Sequence, residues 1–172
     1  MTLAENVELP LAEYTNWSPV DRREVVRLKL GLVGLGGFED YYPAQISGGM
    51  RTRAALARAM ALDPEILFFD EPTTGLDPIL SRNLDQLILE VRDCVGATIV
   101  VVTHDLATIF AIADDSIFLD VDLQAVRAQG NPRELREHCY DPKIRAFLTR
   151  GETPEPVPMR SGQSPAGINV FL

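Results

Sequence analysis

The hydrophobic pattern in the first third of the chain is helical. Residues 1–17 predict one short helical turn followed by a loop. Ser18 and Pro19 then form a helix start, because Ser caps the free N–H groups of a first turn and Pro suits the first helical position. Apolar residues recur beyond them at helical spacing: Val25, Leu28, Leu32 and Leu35. The pattern fades in the glycine-rich stretch 34–37, and no strand is predicted in this third.

The middle of the chain alternates helices with continuous apolar runs. Ser47 caps a helix that Pro64 stops, since Pro disfavours a helical residue before it. The runs Ile66–Phe69 and Ala97–Thr103 are apolar or β-branched almost throughout, as expected of strands buried on both faces. A helix beginning at Pro78 lies between them. This order predicts an α/β fold with a parallel sheet.

The last third carries weaker signals. Residues 116–121 and 123–128 predict a hairpin or an edge pair, and two short helices follow that end near Arg150. From residue 151 the chain is rich in Pro, Gly and Ser, which predicts a flexible tail. The predicted divisions are a helical subdomain, a catalytic α/β core, C-terminal helices and the tail: residues 1–62, 63–130, 131–150 and 151–172.

Length, charge and hydropathy exclude several classes of function. A chain of 172 residues can bury one respectable core. No apolar run approaches the ~20 residues of a membrane-spanning helix, and the polar N-terminus has no signal-peptide core, so we expect a soluble protein. The net charge of −9, from 25 acidic and 16 basic residues, argues against a nucleic-acid surface.

Two carboxylates, Asp70 and Glu71, directly follow the first buried strand. Open parallel sheets bind ligands at the carboxyl ends of their strands. Adjacent carboxylates there can divide a task, one holding Mg²⁺ and the other polarising an attacking water. Two acids after a strand can also simply begin a loop, and the pair alone leaves both interpretations open.

The tripeptide Ser47-Gly48-Gly49 places a hydroxyl and two minimal side chains at a helix N-terminus. Free N–H groups and the helix dipole favour an anion at such a position. An ordinary N-cap followed by glycines is the alternative. Two glycines in a first turn cost about 1 kcal/mol each relative to Ala, which makes a purely structural role less favourable.

His104 follows the second buried strand, so we expect it beside Asp70 and Glu71 at one edge of the sheet. An imidazole there can bond a terminal phosphate or hold the attacking water. A single histidine more often has a structural role. For His104, the expected position beside two carboxylates favours a functional role instead. Asp77 can cap the helix that begins at Pro78, a role that is compatible with a second one at a subunit interface.

These segments, in this order, resemble the ATP-binding subunits of ABC transporters along nearly the whole chain except the tail. ISGGM stands where that family has its LSGGQ-like signature, with Ile for Leu and Met for Gln. ILFFDEP resembles the Walker B strand, TTGLDP the D-loop and VVVTHD the switch-histidine segment. The resemblance implies a P-loop NTPase-like α/β fold with a helical subdomain that carries the signature.

The resemblance also implies roles for the site residues. Glu71 is the expected general base, His104 the expected phosphate-sensing histidine, and Asp70 the expected Mg²⁺ ligand. Ser47-Gly48-Gly49 is expected to contact ATP bound to the opposite subunit of a head-to-tail dimer. Asp77 is expected at the interface of that dimer. The implied cofactors are therefore ATP and Mg²⁺.

Residues 51–79 and the segments LAENVELPL and GNPRELRE resemble more closely the Mla-type lipid-transport ATPases. In that family a pair of ATPases drives a permease that moves phospholipids between the membranes of diderm bacteria, with a lipid-binding partner. The implied partners are a second ATPase subunit, a membrane permease and a lipid-binding protein. The implied location is the cytoplasm, at the inner membrane through the permease.

One departure from the family pattern concerns the nucleotide. The 172 residues contain no GxxxxGK[ST] loop, because the two lysines, Lys29 and Lys143, follow Leu28 and Pro142 rather than glycine. The family's Q-loop glutamine is missing too, and residues 1–7 resemble the segment after it. The sequence thus predicts a cassette without its N-terminal P-loop part, with its strands partly uncovered. We expect it to bind ATP weakly and to hydrolyse it negligibly by itself.

Three interpretations follow. The first is a fragment, or a late start, of an ABC ATPase that energises lipid transport. The second is a helper subunit that gives its signature motif in trans to a complete ATPase, although Glu71 and His104 have no purpose in it. The third is an ABC protein of DNA repair or translation, which usually has long insertions or tandem cassettes. The apolar segment 168–172 either docks on a neighbouring subunit or is a frayed end.

Overall fold

The computed structural model describes residues 1–151 and 169–171. The helices in this part of the chain are α1 Leu3–Tyr14, α2 Pro19–Leu32, α3 Gly48–Ala59, α4 Pro78–Val95, α5 Leu106–Ile112, α6 Pro132–His138 and α7 Pro142–Leu148, with a 3₁₀ turn at Pro43–Gln45. The strands are β1 Ile66–Asp70, β2 Thr98–Val102, β3 Asp115–Asp120, β4 Ala125–Gly130 and β5 Asn169–Phe171. The chain divides into two compact units, and the subdomain boundaries predicted from the sequence stay predictions.

The first unit comprises residues 1–67 and 75–97 and is mainly helical. Its first helix, α1, is longer than the single turn that the sequence predicts. The Thr2 hydroxyl accepts the N–H of Glu5, and the Glu5 carboxylate accepts the N–H of Thr2, so the helix begins with a complete capping box. Leu3, Val7 and Leu11 are fully buried along one face. The cap and this apolar face together stabilise twelve helical residues.

The second helix, α2, begins at Pro19 as predicted, but its buried face is not the predicted one. Leu28 and Leu32, which were expected inside, are 65% and 44% exposed. The residues that are buried instead are Val26, Lys29, Leu30 and Val33. Lys29 lies on this face because its amine forms an ion pair with the carboxylate of Asp63, and its side chain is 8% exposed.

The second unit comprises residues 68–74 and the chain from residue 98 onward. The five strands form one sheet in the order β1-β2-β5-β3-β4. β5 is parallel to both β2 and β3, whereas β3 and β4 form an antiparallel pair with an irregularity between Phe118 and Leu119. The predicted α/β fold with a parallel sheet is confirmed, as is the predicted pair of strands near its end.

Strand β5 differs from the sequence prediction, which places a flexible tail over residues 151–172. Residues 169–171 instead form a strand between β2 and β3. A segment of three residues after a Pro- and Gly-rich stretch carries no strand signal of its own. It becomes a strand because the backbones of two neighbouring strands pair with it. The rest of the predicted tail, residues 152–168 and 172, lies outside the described residues.

Strand β1 is less buried than a continuous apolar run predicts. Leu67 is 4% exposed, but Ile66 and Phe68 are 51% and 74% exposed. In β2, Val101 is fully buried and Val102 is 41% exposed. These values agree with the expectation that the faces of both strands are partly uncovered.

Candidate functional site

Glu71 and His104 meet where β1 and β2 end. The Oε1 atom of Glu71 lies 2.6 Å from the Nδ1 atom of His104. The backbone N–H of Glu71 donates to the carbonyl of Val102 at 2.8 Å, which ties the residue after β1 to the last residue of β2. Because an ionised carboxylate only accepts, Nδ1 carries the proton in this contact. The predicted proximity of the two side chains is confirmed, and their chemical roles stay predictions.

Two threonines complete the surroundings of the Glu71 carboxylate. The hydroxyl of Thr74 donates to Oε2 at 3.1 Å, and that of Thr103 lies 3.5 Å from the same oxygen. Thr103 is 1% exposed, and its hydroxyl oxygen accepts the N–H of Asp105 at 3.1 Å. The sequence analysis did not predict a site role for either threonine. The sequence signal that could have indicated them is a hydroxyl residue three positions after Glu71 and another directly before His104.

The electrostatic balance keeps Glu71 ionised. Partial burial raises the pKa of its carboxyl, whereas the hydrogen bonds from His104 and Thr74 lower it. The hydrogen bonds together outweigh the burial, so the pKa lies below its ordinary value. The side chain of Glu71 is 33% exposed and that of His104 is 79% exposed. A ligand arriving from solvent can therefore reach both groups.

The backbone at Glu71 is unusual. Its φ of 46° lies in the left-handed region, which costs a residue with a side chain about 1–2 kcal/mol. Strain of this kind often occurs at functional sites, where the surrounding structure holds it in place. Here the bonds of Glu71 to Val102, His104 and Thr74 hold the strained residue.

Asp70 is the last residue of β1 and is exposed. The described residues contain no group of three or more His, Cys, Asp or Glu side chains that could hold a metal ion. Mg²⁺ bound with a nucleotide needs only one or two carboxylates, because phosphate oxygens and water complete its shell. Asp70, beside Glu71, therefore fits Mg²⁺ as part of a nucleotide complex rather than in an all-protein cage.

The signature tripeptide lies in the first unit, at the beginning of α3. The Ser47 hydroxyl oxygen accepts the N–H of Met50 at 3.2 Å, so Ser47 is an N-cap, and its O–H can still donate. A Cβ added to Gly48 or Gly49 would meet only ordinary contacts, at 3.7 Å and 3.9 Å. Packing therefore does not require either glycine. A cavity of about 180 Å³ borders this helix start, lined in part by Gly49 and Leu76.

Asp77 also lies in the first unit and caps α4, as predicted. Its Oδ1 atom accepts the N–H groups of Ile79 and Leu80 at 2.9 Å and 3.0 Å. The structure thus groups Glu71 and His104 in one unit and the signature tripeptide and Asp77 in the other. The expected role of Asp77 at a subunit interface stays a prediction.

Comparisons with known proteins relate the chain to one class of protein. Residues 1–74 match the family model of the ABC transporter. The solved ATP-binding cassette MJ0796, as a dimer in a post-hydrolysis state bound to ADP and Pi, superposes with a TM-score of 0.64 and 34% identity. That match covers 76% of this chain and 56% of the other. The chain is thus homologous to the ATP-binding cassettes of ABC transporters and has the fold of part of one cassette.

Two relatives show more specifically which ATP-binding proteins the chain is similar to. The intermembrane phospholipid transport system ATP-binding protein MlaF of Escherichia coli is 42% identical over 160 residues, which are 93% of this chain and 58% of MlaF. The probable ribonucleotide transport ATP-binding protein mkl of Mycobacterium tuberculosis is 41% identical over 148 residues, 86% of this chain and 40% of mkl. The chain therefore spans about half the length of the curated relatives it matches. Among its described helices, none is long and apolar enough to cross a membrane.

Proposed function

We propose that the chain is the signature- and Walker B-bearing part of an ATP-hydrolysing ABC transporter subunit that drives phospholipid transport between bacterial membranes. The observation that carries the hydrolytic part is the 2.6 Å contact of Glu71 with His104 beside the exposed Asp70. The similarity to MlaF of Escherichia coli, and to that of Haemophilus influenzae at 40% identity, supports the lipid part.

In this proposal Glu71 is the general base. Each of its carboxylate oxygens has two lone pairs, so Oε1 can accept a hydrogen bond from a water while it keeps its bond to His104. The carboxylate is a weaker base while His104 is bonded to it, because that bond lowers its pKa. When His104 turns toward a phosphate, the pKa of Glu71 returns toward its ordinary value. His104 thereby couples phosphate contact to the strength of the base.

Asp70 would hold Mg²⁺, which when bound neutralises charge on the phosphates. Ser47-Gly48-Gly49 would donate the Ser47 O–H and its free backbone N–H groups to ATP on an opposite subunit, since a helix N-terminus favours an anion. Asp77 would lie at the interface of that dimer. The proposed partners are a second ATPase in head-to-tail arrangement, a membrane permease and a lipid-binding protein, and no nucleic acid. The proposed location is the cytoplasmic face of the inner membrane, through the permease.

The experiment uses the native complex, purified from its own cells through an affinity tag, so that every segment and partner the cell supplies is present. Glu71→Gln keeps the shape of the side chain but cannot take a proton. We expect it to lower ATP hydrolysis by about 100-fold or more while ATP stays bound and phospholipid still copurifies. Glu90→Gln, on the exposed face of α4, is the matched control. Equal hydrolysis in the two variants would overturn the proposal.

The helper-subunit interpretation is a second candidate, because the helix start at Ser47, which would be offered in trans, is fully formed. ATP hydrolysis by variants of the same native complex distinguishes a helper subunit from a hydrolysing one. A helper would lose activity with Ser47→Asp, which brings a negative charge to the phosphates, but not with Glu71→Gln. A hydrolysing subunit would lose activity with both.

A further inference from the structure

The two oxygens of the Glu71 carboxylate have different surroundings. Oε2 receives hydroxyls from two segments of the chain, that of Thr74 at 3.1 Å and that of Thr103 at 3.5 Å. Because a carboxylate oxygen has two lone pairs, these two hydroxyls together fill the hydrogen-bonding capacity of Oε2. Oε1 faces the imidazole of His104 and keeps one lone pair for a further donor.

Thr74 reaches Oε2 through the turn that follows β1. Its backbone N–H donates to the carbonyl of Glu71 at 3.2 Å, which closes a four-residue turn from Glu71 to Thr74. Its hydroxyl then bonds the carboxylate of the same glutamate. One residue thus holds both the backbone and the side chain of Glu71.

Thr103 approaches Oε2 from the end of β2. It is 1% exposed, and its hydroxyl oxygen accepts the N–H of Asp105 at 3.1 Å. The hydroxyl has a single proton, and a buried hydroxyl favours an acceptor for it. The acceptor is Oε2 of Glu71, at a distance that is long for a hydrogen bond. Asp105 in turn caps α5 by accepting the N–H of Ala107 at 3.0 Å.

We propose that Thr74 and Thr103 are positioning residues that hold Oε2, so that Oε1 is the oxygen that takes the proton of the attacking water. The proposal rests on the proposed function, in which Glu71 is the base. The proton passes to Oε1, the water oxygen bonds the terminal phosphorus of ATP, and the bond from that phosphorus to the oxygen of the departing ADP breaks. A carboxylate held at one oxygen keeps the other in place, and misplacement of a reacting group by about 1 Å can cost about 100-fold in rate.

The first test measures ATP hydrolysis by the native complex. Thr103→Val keeps the shape of the side chain but removes the hydroxyl, whereas Thr103→Ser keeps the hydroxyl. We expect Thr103→Val to lower kcat about tenfold or more, and Thr103→Ser to stay within about threefold of the unmodified protein. The KM for ATP should change less than about twofold in both, because the threonine contacts the base. Full kcat in Thr103→Val, or a Ser variant as slow as the Val variant, overturns the proposal.

Thr74 gives an independent pair of variants. We expect Thr74→Val to lower kcat about tenfold or more and Thr74→Ser to stay within about threefold, again with little change in KM. Thr74 donates to the same oxygen from the other segment, so the two threonines should show the same pattern. Full kcat in Thr74→Val overturns its positioning role.

Two controls separate positioning from a general loosening of α5. Thr108 is fully buried on α5, and its hydroxyl donates to Oδ2 of Asp105 at 3.4 Å. Thr108→Val is therefore the matched loss of a buried hydroxyl. Asp105→Ala removes the cap of α5 and leaves the hydroxyl of Thr103 in place. We expect both to keep kcat within about threefold. A loss in either that equals the loss in Thr103→Val overturns the proposal.

The second test needs no hydrolysis. Three-bond NMR couplings along the Glu71 side chain, measured in the 172-residue chain, report whether that side chain holds one rotamer. We expect averaged couplings in Thr103→Val, and the couplings of the unmodified chain in Thr103→Ser and Thr108→Val. Couplings that Thr103→Val leaves unchanged overturn the positioning role.

The proposed function and this proposal fail on different results. Equal hydrolysis by Glu71→Gln and the Glu90→Gln control would overturn the proposed function, and with it the role of Oε1. A loss of hydrolysis in Glu71→Gln together with full kcat in Thr103→Val would overturn the positioning role alone and leave the proposed function intact.

Discussion

The carboxylate of Glu71 and the imidazole of His104 lie 2.6 Å apart although the residues are 33 positions apart in the chain. The contact exists because each residue follows a strand and the two strands are neighbours in the sheet. The backbone bond from Glu71 to Val102 holds the ends of those strands together. The hydrogen bond from His104 thus lowers the pKa of the Glu71 carboxyl.

The first prediction concerns that hydrogen bond. His104→Ala removes the strongest contact that lowers the pKa of Glu71, so we expect this pKa to rise toward and above its ordinary value, because partial burial remains. A carbon-detected NMR titration of the Glu71 carboxyl measures it. His138→Ala, at the other histidine of the chain, is the control and leaves the Glu71 pKa unchanged. A Glu71 titration identical in both variants would contradict the account.

The second prediction concerns stability at acidic pH. The side chain of Asp120 is 1% exposed, and bonds from Lys143, from the Leu123 N–H and from Arg127 hold its pKa far below the ordinary value of 3.8. A depressed carboxyl pKa contributes stability that is present above the unfolded pKa and is lost as the pH falls below about 4. Asp120→Asn should therefore lower the Tm at pH 7 and flatten its decline between pH 5 and pH 2.

Thermal unfolding followed by circular dichroism measures both effects. The control is Asp122→Asn, because Asp122 also bonds Lys143, at 3.0 Å, but is 84% exposed. We expect a small change in Tm for this exposed member of the network. If the two variants had the same Tm at every pH, the burial of Asp120 would have no part in stability.

The third prediction concerns Lys29 on the buried face of α2. Lys29→Ala removes the ion pair with Asp63 and the buried stem of the side chain. We expect it to lower the free energy of unfolding by roughly 2 kcal/mol, a value between those for exposed and for fully buried ion pairs. Lys29→Met should recover part of the loss because it restores the stem. Arg27→Ala, which breaks an exposed pair with Glu24, should cost less than about 0.5 kcal/mol. Denaturant unfolding measures all three, and equal losses at positions 27 and 29 would contradict the assignment.

The fourth prediction compares two isoleucines of α4. Ile88 is fully buried and Ile79 is 64% exposed. Ile88→Ala should lower the free energy of unfolding by about 2–5 kcal/mol, whereas Ile79→Ala should change it by less than about 0.5 kcal/mol. Urea unfolding midpoints at equal slopes measure the difference. A smaller loss at Ile88 than at Ile79 would mean that α4 packs through another face.

Much of the site could be predicted from the sequence because its determinants are local. Asp70, Glu71 and His104 each follow a run of apolar residues, and parallel strands bring such ends to one edge. The capping roles of Ser47 and Asp77 also follow from their position before a helix. The structure bears out the meeting of Glu71 with His104 and both caps.

The features that the sequence did not predict depend on contacts between residues that are far apart in the chain. Lys29 takes a core position of α2 because Asp63, 34 residues away, pairs with its amine. Thr74 and Thr103 contact the same carboxylate oxygen of Glu71 only because the fold brings them together. Residues 169–171 become a strand because two other strands leave a gap. In each case the deciding partner lies elsewhere in the chain.

The most direct test of the central claim is a double-mutant cycle of ATP hydrolysis in the native complex, with Glu71→Gln, His104→Ala and the two combined. Residues that act as one unit show strongly non-additive losses. We predict that each single variant loses about 100-fold or more and that the double variant is scarcely slower than Glu71→Gln alone. Losses that multiply, or a His104→Ala variant as active as the unmodified protein, would contradict the claim that the two residues form one hydrolytic unit.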